Sequence, residues 1–140
     1  MTAQSSQPTG TENLPAQDDV ILELTNVKKH FQIGGGFMRG RPLVIHAVDD
    51  VSFAIRKGET LGLVGESGCG KTTLGQTIVR LYEPTAGKIV FRGNDISSLG
   101  AKQMRPHRRY LQMIFQDPSA SLDPRMTVSS VISEPLNVAG

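Results

Sequence analysis

An α/β fold is what this sequence predicts, and the reasons are visible in its patterning. Residues dense in β-branched and apolar side chains come first. A glycine-rich loop then joins an apolar run to a segment of helical spacing, and strand and helix patterns alternate beyond it. The chain has 140 residues, the usual size of a single core, with 38% hydrophobic and 20% charged residues. Fifteen Lys+Arg against 13 Asp+Glu leave a net charge of +2. That balance does not argue for nucleic acid or an anionic membrane surface as a partner. No uninterrupted apolar stretch approaches the ~18 residues of a membrane span. Residues 1–10 carry neither the basic region nor the apolar core of a secretory signal. The single cysteine, Cys69, cannot form an internal disulfide.

Taken in chain order, residues 1–19 are rich in Gln, Ser, Thr and Pro, with Met1 and Leu14 their only large apolar groups. Such a stretch buries too little to offset ordering entropy, so a disordered tail is expected, with the folded part over 20–140. The run VILELTNV from Val20 predicts a first strand. Gly34-Gly35-Gly36 opens a loop that ends near Arg41-Pro42 and holds Phe37 and Met38. Val51, Phe53 and Ile55 alternate with Ser52, Ala54 and Arg56, the period of a half-buried strand, and Lys57-Gly58 marks a turn. Leu61, Leu63 and Val64 predict a short buried strand. Over residues 71–82, Leu74, Ile78 and Leu81 fall at i, i+4 and i+7, predicting a helix that Glu83-Pro84 stops. Lys88-Ile89-Val90-Phe91 reads as a strand closed by Gly93-Asn94-Asp95. A short helix within 97–109 broken near Pro106, a strand over 110–116 ended by Asp117-Pro118, and a terminal helix over 128–136 complete the expectation.

The chemistry lies in Gly65-Glu66-Ser67-Gly68-Cys69-Gly70-Lys71-Thr72, which fits the phosphate-loop pattern GxxxxGK[ST]. Glycines let the backbone turn tightly and bring N–H groups up to phosphate oxygens. The loop runs into a helix N-terminus, whose free N–H groups and dipole favour an anion. Lys71 supplies a compact positive charge for the terminal phosphates, and Thr72, followed by Thr73, a hydroxyl for Mg²⁺, a cation that prefers oxygen. From average residue usage a chance match is about 4 × 10⁻⁵ per position. Nucleotide binding follows. A GTPase would carry Asn-Lys-x-Asp and a later Asp-x-x-Gly; neither occurs. The loop by itself leaves a small-molecule kinase open.

The surroundings narrow the choice. GETLGLVGESGCGKTTLGQTIVRLYEPTAGKIVFRGNDI, followed by LQMIFQDPSASLDPRMTV, closely resembles the ATP-binding subunits of ABC transporters, and more narrowly the F-type subunit of oligopeptide and dipeptide importers. The resemblance covers residues 20–140. It implies a P-loop NTPase fold, with a mixed sheet that includes an antiparallel part. It implies ATP and Mg²⁺ as ligands, with Gly65, Glu66, Ser67, Gly68, Cys69, Gly70, Lys71, Thr72 and Thr73 around the phosphates. By the same resemblance Gln116 is the glutamine that reaches Mg²⁺ or the attacking water, and Phe31 is the aromatic that stacks on adenine. The implied partners are a second ATP-binding subunit, transmembrane permease subunits and, indirectly, a peptide-binding protein, at the cytoplasmic face of a bacterial inner membrane.

Other features take plainer readings. Cys69 is a small side chain tolerated in the loop. Lys102, Arg105, His107, Arg108 and Arg109 form a solvated basic face, with no aromatic interleaving for nucleic acid. Asp49 and Asp50 are turn residues. No LSGGQ-type signature occurs, no run of four apolar residues before Asp-Glu follows Gln116, and His30, His46 and His107 all precede Gln116. The expectation is therefore the N-terminal part of an ATP-binding domain, with an unpaired apolar sheet edge. It is also that these residues alone hydrolyse ATP negligibly, so that a non-catalytic nucleotide-binding fragment and a soluble P-loop kinase are the alternatives.

Overall fold

In a computed structural model that describes residues 19–34, 43–117 and 122–139, the long first strand forms the spine. Strand β1 (Val20–Ile33) pairs antiparallel with β2 (Leu43–Arg56) on one side and with β3 (Ala86–Phe91) on the other. The two-residue β4 (Asn94–Asp95) closes the sheet in the order β2-β1-β3-β4. Helices α1 (Lys71–Ile78), α2 (Ala101–Arg108) and α3 (Val128–Ala139) follow the strands. The expected tail over 1–18, and the loop residues Phe37 and Met38, lie outside the described residues.

The core is Leu22, Leu24, Val27, Val48, Leu74, Ile89, Phe91, Ile96 and Met104. Full burial of side chains this size contributes about 1.5–3 kcal/mol each. The sequence spacing conflicts with a regular strand, because Leu24 and Val27 are three residues apart and would point to opposite faces. Irregular register resolves this. Between the pairs Leu24↔Phe53 and Val27↔Val51, β1 holds Thr25 and Asn26 against Ser52 alone. One pair further on, β2 holds Asp49 and Asp50 against Lys28 alone. Both bulges use a left-handed residue, Asn26 (φ 49°) and Asp50 (φ 57°). Asn26 Nδ2 donates to Asp50 Oδ1 at 2.8 Å, and Ser52 Oγ accepts from Asn26 N at 2.7 Å. Asp49 and Asp50 are thus not in a turn; they lie inside β2, where they shift its register.

Several expected boundaries move. The helix after the phosphate loop ends at Ile78, before Glu83-Pro84. Arg80 adopts φ 58°, its N–H donates to Thr77 O at 3.1 Å, and Leu81 N–H donates to Gln76 O at 2.8 Å. This is the Schellman pattern, with arginine where glycine is usual. The β3–β4 turn is Arg92-Gly93, both left-handed, so Asn94 and Asp95 belong to a strand rather than closing one. Helix α2 runs through Pro106 to Arg108 instead of breaking there, and α3 extends to Ala139 with Thr127 Oγ1 accepting from Ser130 N at 3.2 Å.

The larger differences are residues 61–64 and 110–116, which are not strands. Apolar runs form strands only when a neighbour completes the ladder, and no described segment pairs with either. Val64 is accordingly 94% exposed and Ile114 90%. The described sheet is the antiparallel part of the expected α/β architecture.

Candidate phosphate-binding site

The loop between residues 64 and 71 takes its shape from two left-handed glycines, Gly68 (φ 83°) and Gly70 (φ 91°). Gly70 is the N-cap of α1, and its carbonyl accepts from Leu74 N–H at 2.8 Å. Glycine is required there twice over, since a Cβ at Gly70 would stand 2.0 Å from Ala47 O. Ala47 is itself the extra residue of a third irregularity: Lys29 pairs with Val48 and His30 with His46, leaving Ala47 unmatched in β2. The bulge aims the Ala47 carbonyl at the loop and seats the start of α1 against the edge of the sheet. At the loop's other end, a Cβ on Gly65 would meet Cys69 Sγ at 2.6 Å.

Lys71, the first residue of α1, folds back over this ring. Its Nζ donates to Gly65 O at 2.8 Å and Glu66 O at 2.6 Å, and lies 3.5 Å from Cys69 Sγ. The ammonium is therefore held above the backbone that a phosphate would approach, beside the N–H groups at the start of α1. Thr72 is exposed, with its hydroxyl in the first helical turn, whereas the Thr73 carbonyl accepts from Thr77 Oγ1 at 2.7 Å. This donor set, with no Cβ filling its cradle at Gly68 or Gly70, fits a phosphate and an oxygen-preferring cation.

Phe31 and Gln116 stand apart from that ring. Phe31 pairs with Ile45, two residues from Ala47 along β2. Its ring meets Tyr82 edge-on at 5.2 Å, and Lys29 Nζ lies 4.8 Å from its centroid. A flat base stacking on Phe31 therefore competes with Lys29 or uses the opposite ring face. Gln116 is exposed at the end of an irregular segment that Leu111 and Met113 lay against the core and α1. A methyl on Gly75 would touch Met113 Cε at 3.6 Å. Sequence reading did not anticipate Lys29, Tyr82 or the Ala47 carbonyl. Their places depend on bulges and a helix end that leave no motif.

A charged cluster flanks the site on β1 and β2. Lys28 Nζ contacts Asp49 Oδ1 at 2.9 Å. That hydrogen bond holds the Asp49 carboxyl below its ordinary range and raises the Lys28 ammonium above its own. The basic residues of α2 are mostly exposed. The Tyr110 ring just beyond them is contacted by two guanidiniums, Arg92 at 4.4 Å and Arg109 at 4.9 Å from its centroid.

Residues 48–136 match the ABC transporter family. The oligopeptide transport ATP-binding protein AppF of Bacillus subtilis is 54% identical over 123 residues, covering 87% of this chain and 37% of AppF. The putative oligopeptide transport ATP-binding protein YkfD of the same organism is 50% identical over 118 residues, 84% of this chain and 34% of YkfD. Among solved structures, a dimeric ATP-binding cassette in a post-hydrolysis state bound to ADP and Pi superposes with a TM-score of 0.69 at 26% identity. That match covers 86% of this chain and 48% of the cassette. The chain spans about a third of the length of the curated relatives it matches.

Proposed function

The chain belongs to the ABC transporter family, and on that premise we propose that residues 20–140 are the front part of an ATP-binding domain that powers peptide import by binding and hydrolysing ATP. The names of the relatives, oligopeptide transport ATP-binding proteins, support the peptide class. The observation that carries nucleotide binding is Lys71 held over a loop of left-handed glycines at the start of α1. In this reading the N–H groups from Gly65 to Thr73, including those of Glu66, Ser67, Gly68, Cys69 and Gly70, cradle the phosphates. Lys71 neutralises the terminal ones, and Phe31 packs on the base.

Thr72 and Gln116 would hold Mg²⁺, which supplies positive charge against the phosphate oxygens. Two such domains would face one another, as the dimeric cassette suggests by analogy, and permease subunits would carry the membrane contact, on the cytoplasmic side of a bacterial inner membrane. No helix among the described residues is long and apolar enough to cross a membrane.

Isothermal titration of MgATP into the wild-type chain and Lys71→Ala tests the reading. Removing the ammonium that this reading assigns to the terminal phosphates is expected to weaken binding at least tenfold, about 1.4 kcal/mol. Equal affinity in the two proteins overturns it. Phosphorylation of an added small-molecule acceptor would instead favour a kinase.

A further inference from the structure

Beside the phosphate loop, β1 and β2 bring together donors that nucleotide binding does not use. His30 and His46 are direct partners across the strand pair, with ring centroids 3.9 Å apart and planes tilted by 32°. Asp49, three residues beyond His46, is brought to the same place by the β2 bulges. Its Oδ1 lies 3.6 Å from His30 Nε2 and its Oδ2 3.8 Å from His46 Nδ1. One donor atom from each residue falls within 4.8 Å of the others. His30 Nε2 is buried and has no hydrogen-bond partner among the described residues, an arrangement that calls for an explanation.

Two imidazoles and a carboxylate suit borderline divalent ions such as Zn²⁺, Co²⁺ or Ni²⁺, whereas Mg²⁺ prefers oxygen alone. Around a tetrahedral Zn²⁺ with bonds of about 2.0–2.1 Å, ligand atoms stand roughly 3.4 Å apart. The two Asp49 contacts exceed that by a few tenths of an ångström but run to different carboxylate oxygens, and with one donor atom per residue the three lie within 4.8 Å, so binding draws them together by side-chain rotation. Half-exposed His46 and Asp49 leave the cluster open to solvent, so an ion has an entry path. One cation already touches the cluster, the Lys28 ammonium on Asp49 Oδ1.

We infer that His30, His46 and Asp49 form a binding site for a transition-metal dication, separate from the Mg²⁺ position at Thr72, with Lys28 as its competitor for the carboxylate. The site does not depend on nucleotide. Metal binding would tie the two strands together just before Phe31 and opposite the Ala47 bulge.

The test titrates Co²⁺ and Zn²⁺ into the full chain near neutral pH, following visible absorption for Co²⁺ and heat for Zn²⁺. Wild type, His46→Ala, His46→Gln, Asp49→Asn and Lys28→Met are compared, with far-ultraviolet circular dichroism to confirm folding. Wild type is expected to show a single saturable site and a Co²⁺ spectrum of nitrogen and oxygen ligation. His46 and Asp49 variants are expected to weaken it about tenfold or more, and Lys28→Met to tighten it. Zn²⁺ should raise the unfolding temperature of wild type and not of the His46 variants. Absence of saturation up to about 1 mM, undiminished binding in both His46 variants, or an intense thiolate-to-cobalt band locating the ion on Cys69 would each overturn the inference.

Discussion

Glycines at equivalent-looking positions in the sequence carry opposite physical demands. Gly70 combines φ 91° with a backbone carbonyl 2.0 Å from where a Cβ would sit, so Gly70→Ala must move β2 or the loop. Gly58 has φ 77° but open space around it. Gly75 lies in α1, and a methyl there would make an ordinary 3.6 Å contact with Met113 Cε. Urea unfolding should therefore rank the three variants. Gly70→Ala is expected to cost more than about 2 kcal/mol, and Gly58→Ala about 1 kcal/mol. Gly75→Ala is expected to stabilise by up to about 1 kcal/mol. A Gly70→Ala variant as stable as Gly58→Ala would show that the Ala47 carbonyl does not constrain the loop. The motif singled out Gly65, Gly70, Lys71 and Thr72 from sequence, because a phosphate loop is a pattern of residue types at fixed spacing, and the structure brings them into one loop and helix start. The His30, His46 and Asp49 cluster was not legible, since only the strand register makes these residues neighbours.

At the level of elements, apolar patterning caught the starts of β1, α1 and α3 but not their ends, whereas for β2 and β3 it caught the ends and missed the starts at Leu43 and Ala86. Val51, Phe53 and Ile55 alternate as a strand should, yet nothing in their spacing announces the bulges at Asn26 and Asp50 that align Leu24 with Val27. The end of α1 is set by Arg80, a residue with no intrinsic preference for the left-handed region. Its side chain is buried and Nη2 donates to Leu99 O at 3.0 Å, while its own carbonyl accepts from Arg108 Nη2 at 3.4 Å. Tertiary contacts thus override the local pattern. The β3–β4 hairpin is fastened similarly: Asp95 Oδ1 accepts from Ser97 Oγ at 2.6 Å and Ser97 N at 2.9 Å, and Ser97 Oγ accepts from Ile89 N at 2.7 Å.

The Ser97 hydroxyl first, and its N–H second, hold the Asp95 carboxyl below its ordinary value of 3.8. A depressed value in the fold means that ionised Asp95 stabilises it. That contribution is complete above 3.8 and disappears as pH falls through the lower folded value. Asp95→Asn should accordingly lower the urea midpoint at pH 7, and the gap from wild type should close on strong acidification. A gap that is unchanged across the range would mean that the carboxylate charge has no part in fastening the hairpin.

For the whole molecule, the sheet and the loop are in place while apolar segments around them stay outside the core. Leu61, Leu63 and Val64 lead into the phosphate loop as exposed chain, and Ile114 and Phe115 lead exposed into Gln116. Along α3, Val128, Ile132 and Leu136 form an exposed stripe at i, i+4 and i+8. The first strand, the strand before Gly93 and the three helices were readable in order from sequence, but the strands expected over 61–64 and 110–116 are not formed, because ladder formation depends on a partner rather than on the segment's own composition.

This bears directly on turnover. Phosphoryl transfer to water depends on charge neutralisation together with a group that orients the attacking water. In the proposed function Lys71 and Thr72 serve the first need. For the second, no acidic residue after Gln116 follows a run of four apolar residues, and Gln116 is exposed on a segment that pairs with no strand among the described residues. The 140-residue chain is therefore expected to bind MgATP yet release phosphate no faster than its own Lys71→Ala variant in a continuous phosphate-release assay. Turnover clearly above background and abolished by Lys71→Ala would show that the loop, Lys71 and Gln116 suffice to organise the attacking water.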